Sequence, residues 1–449
     1  MNNLHELEVL IDDKQFKLLR SGIEDVNSAD VAAFLEELPI EKAIVLFRVL
    51  PKDMAAEAFA DLYFEVQQAL IERLSAKEIY EVIEELFLDD ATDFIEEMPA
   101  TIARRVLGHA TRETREQINQ LLKYPENSAG SIMTVEYVDL KSRLSVAQAF
   151  ERIRQIGLDK EVIYTCYVTD SARVLEGVVT VKTLLLAEPD EIIGDIMEKN
   201  LIFTHTDTDQ EEVARMFEKY DFLTIPVMDS ESRLVGIITV DDIIDVVHEE
   251  ATEDFEIMAA ITPSVKPYMK TSVPGMAKNR LPWLFVMMIA AMITGGIIGS
   301  FEAAIATMPL LMVFVPMLMD TGGNSGSQSS TMVIRGMALM EISPKDFFKI
   351  IWKELRVGLL VGGVLSAANF FRVYITYNGN PEIIRVCLTV SATLLFTVVM
   401  ANIVGGILPI AAKKCKIDPA VMAAPLITTI VDALSLIVYF TLATLLLRI

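Results

Sequence analysis

The chain has 449 residues, 63 acidic against 39 basic, for a net charge of −24, and 52% of it is hydrophobic. The charge is split: residues 1–280 carry 55 acidic and 28 basic side chains, residues 281–449 only 8 and 11. So acidic a surface repels phosphate backbones and gathers cations, which excludes DNA and RNA as expected partners; three scattered cysteines, Cys166, Cys387 and Cys415, give no disulfide framework or thiolate metal site.

From the N-terminus, residues 1–124 read as an acidic helical domain. The first 14 residues are polar and acidic, without the pattern of a cleaved leader. A twelve-residue repeat then runs through Leu35–Pro39, Phe47–Pro51, Phe59–Leu62, Ile71–Leu74, Ile83–Leu86 and Ile95–Pro99 to Leu107. Apolar residues three apart share a helix face, and a proline or polar residue ends each turn. The expected result is a superhelix of short helices, each covering its neighbours.

Residues 125–247 hold a duplication. Met133-Thr134, a helical stretch Leu144–Ile156 and the run Tyr164–Thr180 are matched by Met197, Glu211–Tyr220, Thr224–Val227 and Gly236–Thr239. Gly177 and Gly236, like Thr180 and Thr239, are 59 residues apart. β-Branched runs after each helix predict alternating strands and helices, an α/β module. The pattern resembles the CBS-domain pair, a regulatory module that in many proteins binds adenine nucleotides. That resemblance implies ATP as a candidate ligand, with Thr239 and Asp242 at the contact positions; in the first copy Thr183 stands where the pattern has aspartate.

Residues 248–280 read as a connector. An acidic helix over Ile243–Ile261, ended by Pro263, bears Asp245, Glu249, Glu250, Glu253, Asp254 and Glu256, and a basic stretch from Lys266 to Arg280 follows. Two like charges ~4 Å apart repel by about 4 kcal/mol at an effective dielectric of about 20. Such faces stay apart unless divalent cations sit between them.

Residues 281–449 hold five stretches long enough to span a bilayer, which takes ~20 apolar residues: Leu281–Phe301, Pro309–Val333, Val357–Tyr377, Val386–Ala412 and Ala420–Leu447. Basic residues collect between spans two and three (Arg335, Lys345, Lys349, Lys353, Arg356) and between four and five (Lys413, Lys414, Lys416). The positive-inside rule then predicts a cytoplasmic N-terminal region and an outside C-terminus. Arg372, near the outer end of span three, is expected to snorkel to the interface.

Two features of this half carry chemistry. Asp432 lies near the middle of span five, where a carboxylate is costly and normally lines a water-filled path; the alternative is a protonated aspartate that only joins helices. In span two, Gly322, Gly323, Asn324, Gly326 and Gln328 interrupt an apolar run. Such a run is expected to break the helix and turn carbonyls toward a pore, the alternative being close helix packing through small residues. With no histidine in this half, oxygen ligands suit Mg2+, Ca2+ or Mn2+. Mg2+ sheds water reluctantly, so a wide site for the hydrated ion suits it best, and a twofold homodimer would supply a second aspartate.

Over essentially its whole length the chain resembles the MgtE family of bacterial Mg2+ channels. The resemblance rests on Tyr124-Pro-Glu-Asn-Ser-Ala-Gly130 with Met133-Thr134, on the Gly322–Gln328 stretch, and on Asp418-Pro419-Ala420 followed by Pro425 and Asp432. Asn127 replaces an aspartate usual in the first motif, and Asp320 adds a carboxylate before the double glycine. The resemblance implies a bacterial inner-membrane, lipid-embedded homodimer that imports Mg2+ past Asp432 and is closed by cytoplasmic Mg2+. It also implies the regulatory ligands: Glu57, Asp89 and Asp93 in the helical domain, then Glu136, Asp209, Glu211, Glu218 and Asp221 in the CBS pair. Asp242, Asp245, Glu250, Glu253 and Asp254 follow on the connector, with Asp418 at the membrane edge. An ion-coupled carrier using Asp432 as a relay stays open as a second class. An intramembrane metalloprotease does not, for want of His-Glu-x-x-His, and no enzymatic activity is expected.

Overall fold

The computed structural model describes residues 2–264, 268–269, 271–377, 382–422 and 424–447. It divides into two compact units, Met1–Val247 and His248–Ile449. Lys266 and Lys270, of the basic stretch expected before the first span, lie outside the described residues.

The first unit opens with short helices from Asn2–Asp12 to Arg112–Leu121. Their punctuation is the twelve-residue repeat: Leu38, Leu50, Leu62, Leu74, Leu86 and Met98 fall at helix ends and are all buried. Pro39, Pro51 and Pro99 occupy the N-cap positions of the helices that follow. Where proline is absent a polar cap serves, as at Ser75, whose hydroxyl accepts from the Glu78 N–H in a capping box. Helices pack on the next but one, Ser28–Glu37 on Lys52–Ala60 and Lys52–Ala60 on Ala76–Glu85, the stacking of a superhelix.

Two three-stranded sheets follow. In one, β1 (Tyr137–Leu140) runs parallel to β2 (Val162–Thr169), which pairs antiparallel with β3 (Leu175–Thr180). In the other, β4 (Thr204–His205), β5 (Thr224–Met228) and β6 (Leu234–Thr239) repeat that order. The duplication is visible in the register, because Val168 faces Gly177 and Val227 faces Gly236. Each glycine admits a crossing methionine: a Cβ would lie 2.6 Å from Met197 Sδ at Gly177 and 2.6 Å from Met133 Sδ at Gly236. Tyr167 and Thr224 join the two copies by a buried hydroxyl–hydroxyl bond of 2.7 Å.

Among the described residues of the second unit, five helices are long enough to cross a bilayer: α1 (Val273–Ser300), α2 (Val315–Ala338), α3 (Phe347–Thr376), α4 (Ile383–Lys414) and α5 (Ala424–Leu447). Four of them also carry the sustained hydropathy of a span; α2, with its glycines, serines and amides, does not. α4 is central, packed on α2, α3 and α5, whereas α1 packs chiefly on α5 and buries no residue.

The expected break in span two is not there. α2 is one continuous helix through Gly322–Gln328, so its glycine carbonyls serve the helix ladder. The glycines let neighbouring helices approach. A Cβ would meet Thr397 Cγ2 at 2.6 Å from Gly322, Thr428 Cγ2 at 3.0 Å from Gly323 and Ile427 Cγ2 at 2.8 Å from Gly326. Small side chains at membrane contacts and glycines at pore loops share one composition, and here the packing use prevails. The tightest point is Gly405 of α4, where a Cβ would stand 2.2 Å from the Gly326 carbonyl oxygen. Gly405→Ala is therefore expected to force α2 and α4 apart at a cost of roughly 1–3 kcal/mol. Thermal unfolding of the detergent-solubilised protein checks this; an unchanged midpoint would contradict the contact.

Candidate functional site

Along α2, Asp320, Asn324 and Gln328 recur every four residues on the side away from Gly322 and Gly326, and all three are exposed. Asp432 is half-buried on α5, and Asp320 is the one charge that acts on it among the described residues. Gly322 touches Val431 and Ser435 while Gly326 touches Ile427 and Val431, so α2 and α5 run antiparallel in contact. Of the residues expected to line a path, Asn324 and Gln328 follow Asp320 along the exposed side of α2. Gly322, Gly323 and Gly326 instead form the contact that brings the helices together.

A further carboxylate of this half, Glu354, precedes the third span expected to begin at Val357. α3 begins at Phe347, which puts Glu354 two turns inside the helix. Ser329 Oγ lies 2.9 Å from both Glu354 Oε2 and the Asn402 carbonyl oxygen, and can donate to one at a time. Ser325 Oγ donates to Asn402 Oδ1 at 2.5 Å. These polar links tie α2, α3 and α4 together. Arg372 donates to Asn369 Oδ1 at 2.8 Å and remains exposed, consistent with a side chain reaching outward.

In the first unit, Asp89, Glu161 and Asp242 each bring a carboxylate oxygen within 4.8 Å of the others. Asp89 is buried near the start of the helix Leu88–Glu97, Glu161 immediately precedes β2, and Asp242 opens the helix Val240–Met258. Burial, then the neighbouring Asp90 and Glu136, pushes the Asp89 carboxyl up to about 7. Burial, then Asp89, pushes Asp242 up to about 7, and burial followed by Asp89 and Asp242 raises Glu161 further. Asp90 is raised by burial and by Asp242 and Asp61. Asp93, whose outer edge is open to solvent, is raised by partial loss of water and then by Asp89, Asp90 and Asp242. Glu136 Oε2 accepts the Leu88 N–H at 3.1 Å, anchoring this edge. Such crowding of oxygen donors is what a hard divalent ion relieves.

Of the predicted regulatory residues, Asp89, Asp93, Glu136 and Asp242 thus come together, joined by Glu161 and Asp90, which sequence reasoning missed. Glu57 and Asp245 form a second acidic neighbourhood around Asp61, whose carboxyl is raised by partial burial, then by Asp245 and Glu57. Others have local work. Asp209 caps the helix Gln210–Tyr220, Glu211 pairs with Arg215, and Asp221 ends that helix with a left-handed φ of 53°. Glu218 is exposed on its last turn. Asp418 Oδ1 accepts the Ala420 N–H at 2.8 Å, and Glu250, Glu253 and Asp254 line the later turns of Val240–Met258.

At the predicted nucleotide position, Thr239 Oγ1 donates to the Asp242 carboxylate. The first copy repeats the turn with Thr180 and Thr183 hydroxyls 2.9 Å apart, so only the second copy offers a carboxylate there.

Comparison with known proteins agrees with this architecture. The family profile described as "Divalent cation transporter" matches residues 315–442, that of the MgtE intracellular N domain residues 26–127, and that of the CBS domain residues 193–249. The chain is 35% identical to the magnesium transporter MgtE of Thermus thermophilus, over 98% of both chains. It is 34% identical to that of Bacillus subtilis, over 97% of this chain and 95% of the relative. The crystal structure of the cytosolic domain of the Mg2+ channel MgtE in complex with ATP is 36% identical, covers 54% of this chain and 99% of its own, and superposes with a TM-score of 0.52. The soluble part of a magnesium transporter gives a TM-score of 0.53 at 28% identity, over 56% and 98%. With identity sustained from the acidic superhelix to the last membrane helix, this chain belongs to the MgtE family.

Proposed function

We propose that this protein passes Mg2+ across a bacterial cell membrane as a homodimeric channel, and that cytosolic Mg2+ bound by its acidic first unit closes it. The observation that carries the transport reading is Asp432: a half-buried carboxylate within a membrane helix, with no hydrogen-bond or ion-pair partner among the described residues, and with Asp320 of α2 as the charge that acts on it. A group of that kind is stable only where water or a cation meets it. The named relatives are magnesium transporters, which supports Mg2+ as the ion. Two copies about a twofold axis would place an Asp432 on each side of one hydrated ion.

The regulatory reading is supported by the carboxylates gathered at Asp89, Glu161 and Asp242. All three are hard oxygen donors, and their raised affinity for protons marks a place where negative charge is uncompensated. Asp93, Glu136, Glu57 and Asp245 extend that acidic region. Asp209, Glu211, Glu218, Asp221, Glu250, Glu253, Asp254 and Asp418 complete the proposed regulatory set. The basic residues of Lys345–Arg356, at the start of α3, and of Lys413–Lys416, at the end of α4, support a cytoplasmic first unit and an outside C-terminus. ATP at the CBS pair is supported by the Thr239–Asp242 turn and by the ATP complex of the relative's cytosolic domain.

Reconstitution in liposomes with a trapped Mg2+-sensitive dye tests the proposal. Mg2+ is expected to enter down its own gradient, unaffected by imposed proton or Na+ gradients, and millimolar Mg2+ on the cytosolic face is expected to stop it. Flux that follows a proton or Na+ gradient would replace the channel with the ion-coupled carrier.

A further inference from the structure

On α2, Asp320, Asn324 and Gln328 form an exposed line four residues apart, and none of the three has a hydrogen-bond or ion-pair partner among the described residues. Seven residues beyond Asp320, two turns along the same side, the Ser327 hydroxyl is buried and has no partner either. A carboxylate, two amides and an orphaned hydroxyl on one side of a membrane helix do not face hydrocarbon; they need water, a cation or protein.

The antiparallel contact of α2 and α5 says which. Gly322 lies against Val431 and Ser435, and Gly326 against Ile427 and Val431. Asp432 is therefore about level with Gly323, and Asp320 stands three residues further toward the N-terminal end of α2, roughly 5 Å along the axis at 1.5 Å per residue. Gly323 itself abuts Thr428, which is one turn before Asp432 on the same side of α5. Asp320 and Asp432 thus edge the same side of the α2–α5 pair.

We propose that Asp320 is a second cation-binding carboxylate of the membrane path, meeting the same hydrated divalent ion as Asp432 and setting the preference for divalent over monovalent ions. The inference rests on the reading of Asp432 as the path-lining group. A hydrated ion keeps its waters, so carboxylates several ångströms apart hold it through them, without direct coordination. The attraction between a fixed negative charge and a cation scales with the cation's charge. Each carboxylate therefore favours Mg2+ twice as strongly, in free energy, as Na+ at the same place. Removing Asp320 is expected to weaken Mg2+ binding about tenfold, about 1.4 kcal/mol, and Na+ binding only about threefold. The preference falls by the ratio. Two copies of the chain would present four carboxylates, two of them from position 320.

The test uses the full-length protein in liposomes, with Mg2+ influx measured across a range of Mg2+ concentrations for wild type, Asp320→Asn, Asp320→Ser, Asp320→Glu and Asp432→Asn. Block of Na+ current by Mg2+ is recorded for the same set. Both neutral variants at position 320 are expected to raise the half-saturating Mg2+ about tenfold and to need about tenfold more Mg2+ for block, and Asp320→Glu to restore both. Wild-type saturation and block in either neutral variant, with flux lost in Asp432→Asn, would overturn the role of Asp320 and leave the path at Asp432 standing. Wild-type flux in Asp432→Asn would remove the path itself, and the inference with it.

Discussion

Replacing Asp432 with alanine is expected to abolish Mg2+ uptake, lowering flux at least about a hundredfold in Mg2+-starved cells that express the variant at wild-type levels. The expectation follows from charge and water. A unit charge pair ~4 Å apart gains about 4 kcal/mol at an effective dielectric of about 20, and a divalent ion doubles that before hydration is counted. A hundredfold change needs only about 2.7 kcal/mol, well below that figure, so even strong screening leaves a large effect. Alanine also leaves apolar surface in place of the carboxylate on α5, close to where Gly322 and Gly326 hold α2 and α5 in contact. Asp432→Glu keeps the charge and should retain part of the flux, and Asp432→Asn should resemble alanine. If the alanine variant, folded and present in the membrane, transports Mg2+ as well as wild type, Asp432 does not meet the ion.

Sequence and structure agree where a pattern repeats. Leu38 to Met98 recur every twelve residues because each closes one short helix against its neighbours, and an uninterrupted local rhythm survives folding. The 59-residue offset became an equal strand register because Gly177 and Gly236 each need room for a methionine. The glycine run of α2 was misjudged for a physical reason. Glycine, serine and amide residues serve a pore loop or a close helix contact equally well, and only a partner such as Gly405 decides between them. Glu161 had no local signal at all: it stands among ordinary strand and turn residues, and its chemistry comes from Asp89 and Asp242, distant in sequence. Glu354 was hidden by a span boundary drawn at Val357, since the two basic residues around it, Lys353 and Arg356, resemble a loop. A carboxylate between lysine and arginine three residues apart on a helix was the available clue.

Neutralising Asp89 and Asp242 together, as Asp89→Asn and Asp242→Asn, is expected to do two opposite things: raise the stability of the cation-free protein and remove its response to Mg2+. Both carboxyls are pushed up to about 7 by burial and by like charges nearby, and both in turn raise Glu161. A carboxyl whose folded-state pKa lies above its unfolded value makes the folded state the better proton acceptor. Its stabilising protonation is complete below the unfolded value near ~4 and is lost as pH climbs through about 7, so the cation-free first unit weakens over that window. Mg2+ takes the place of those protons, so its binding releases them and its stabilising effect grows with pH. At a Mg2+ concentration ~100 times the dissociation constant the gain is about 2.7 kcal/mol, or roughly 5–10 °C in unfolding midpoint for a unit of this size. Melts of the full-length protein in detergent at pH 6 and pH 8, with and without millimolar Mg2+, should give the larger shift at pH 8 in wild type and none at either pH in the double asparagine variant. Flux in liposomes should then persist in the variant at cytosolic Mg2+ that silences the wild type. A Mg2+ shift that survives the double substitution, or that shrinks as pH rises, would place the regulatory ion elsewhere, because an ion held by these raised carboxyls must displace their protons and gain strength as pH rises.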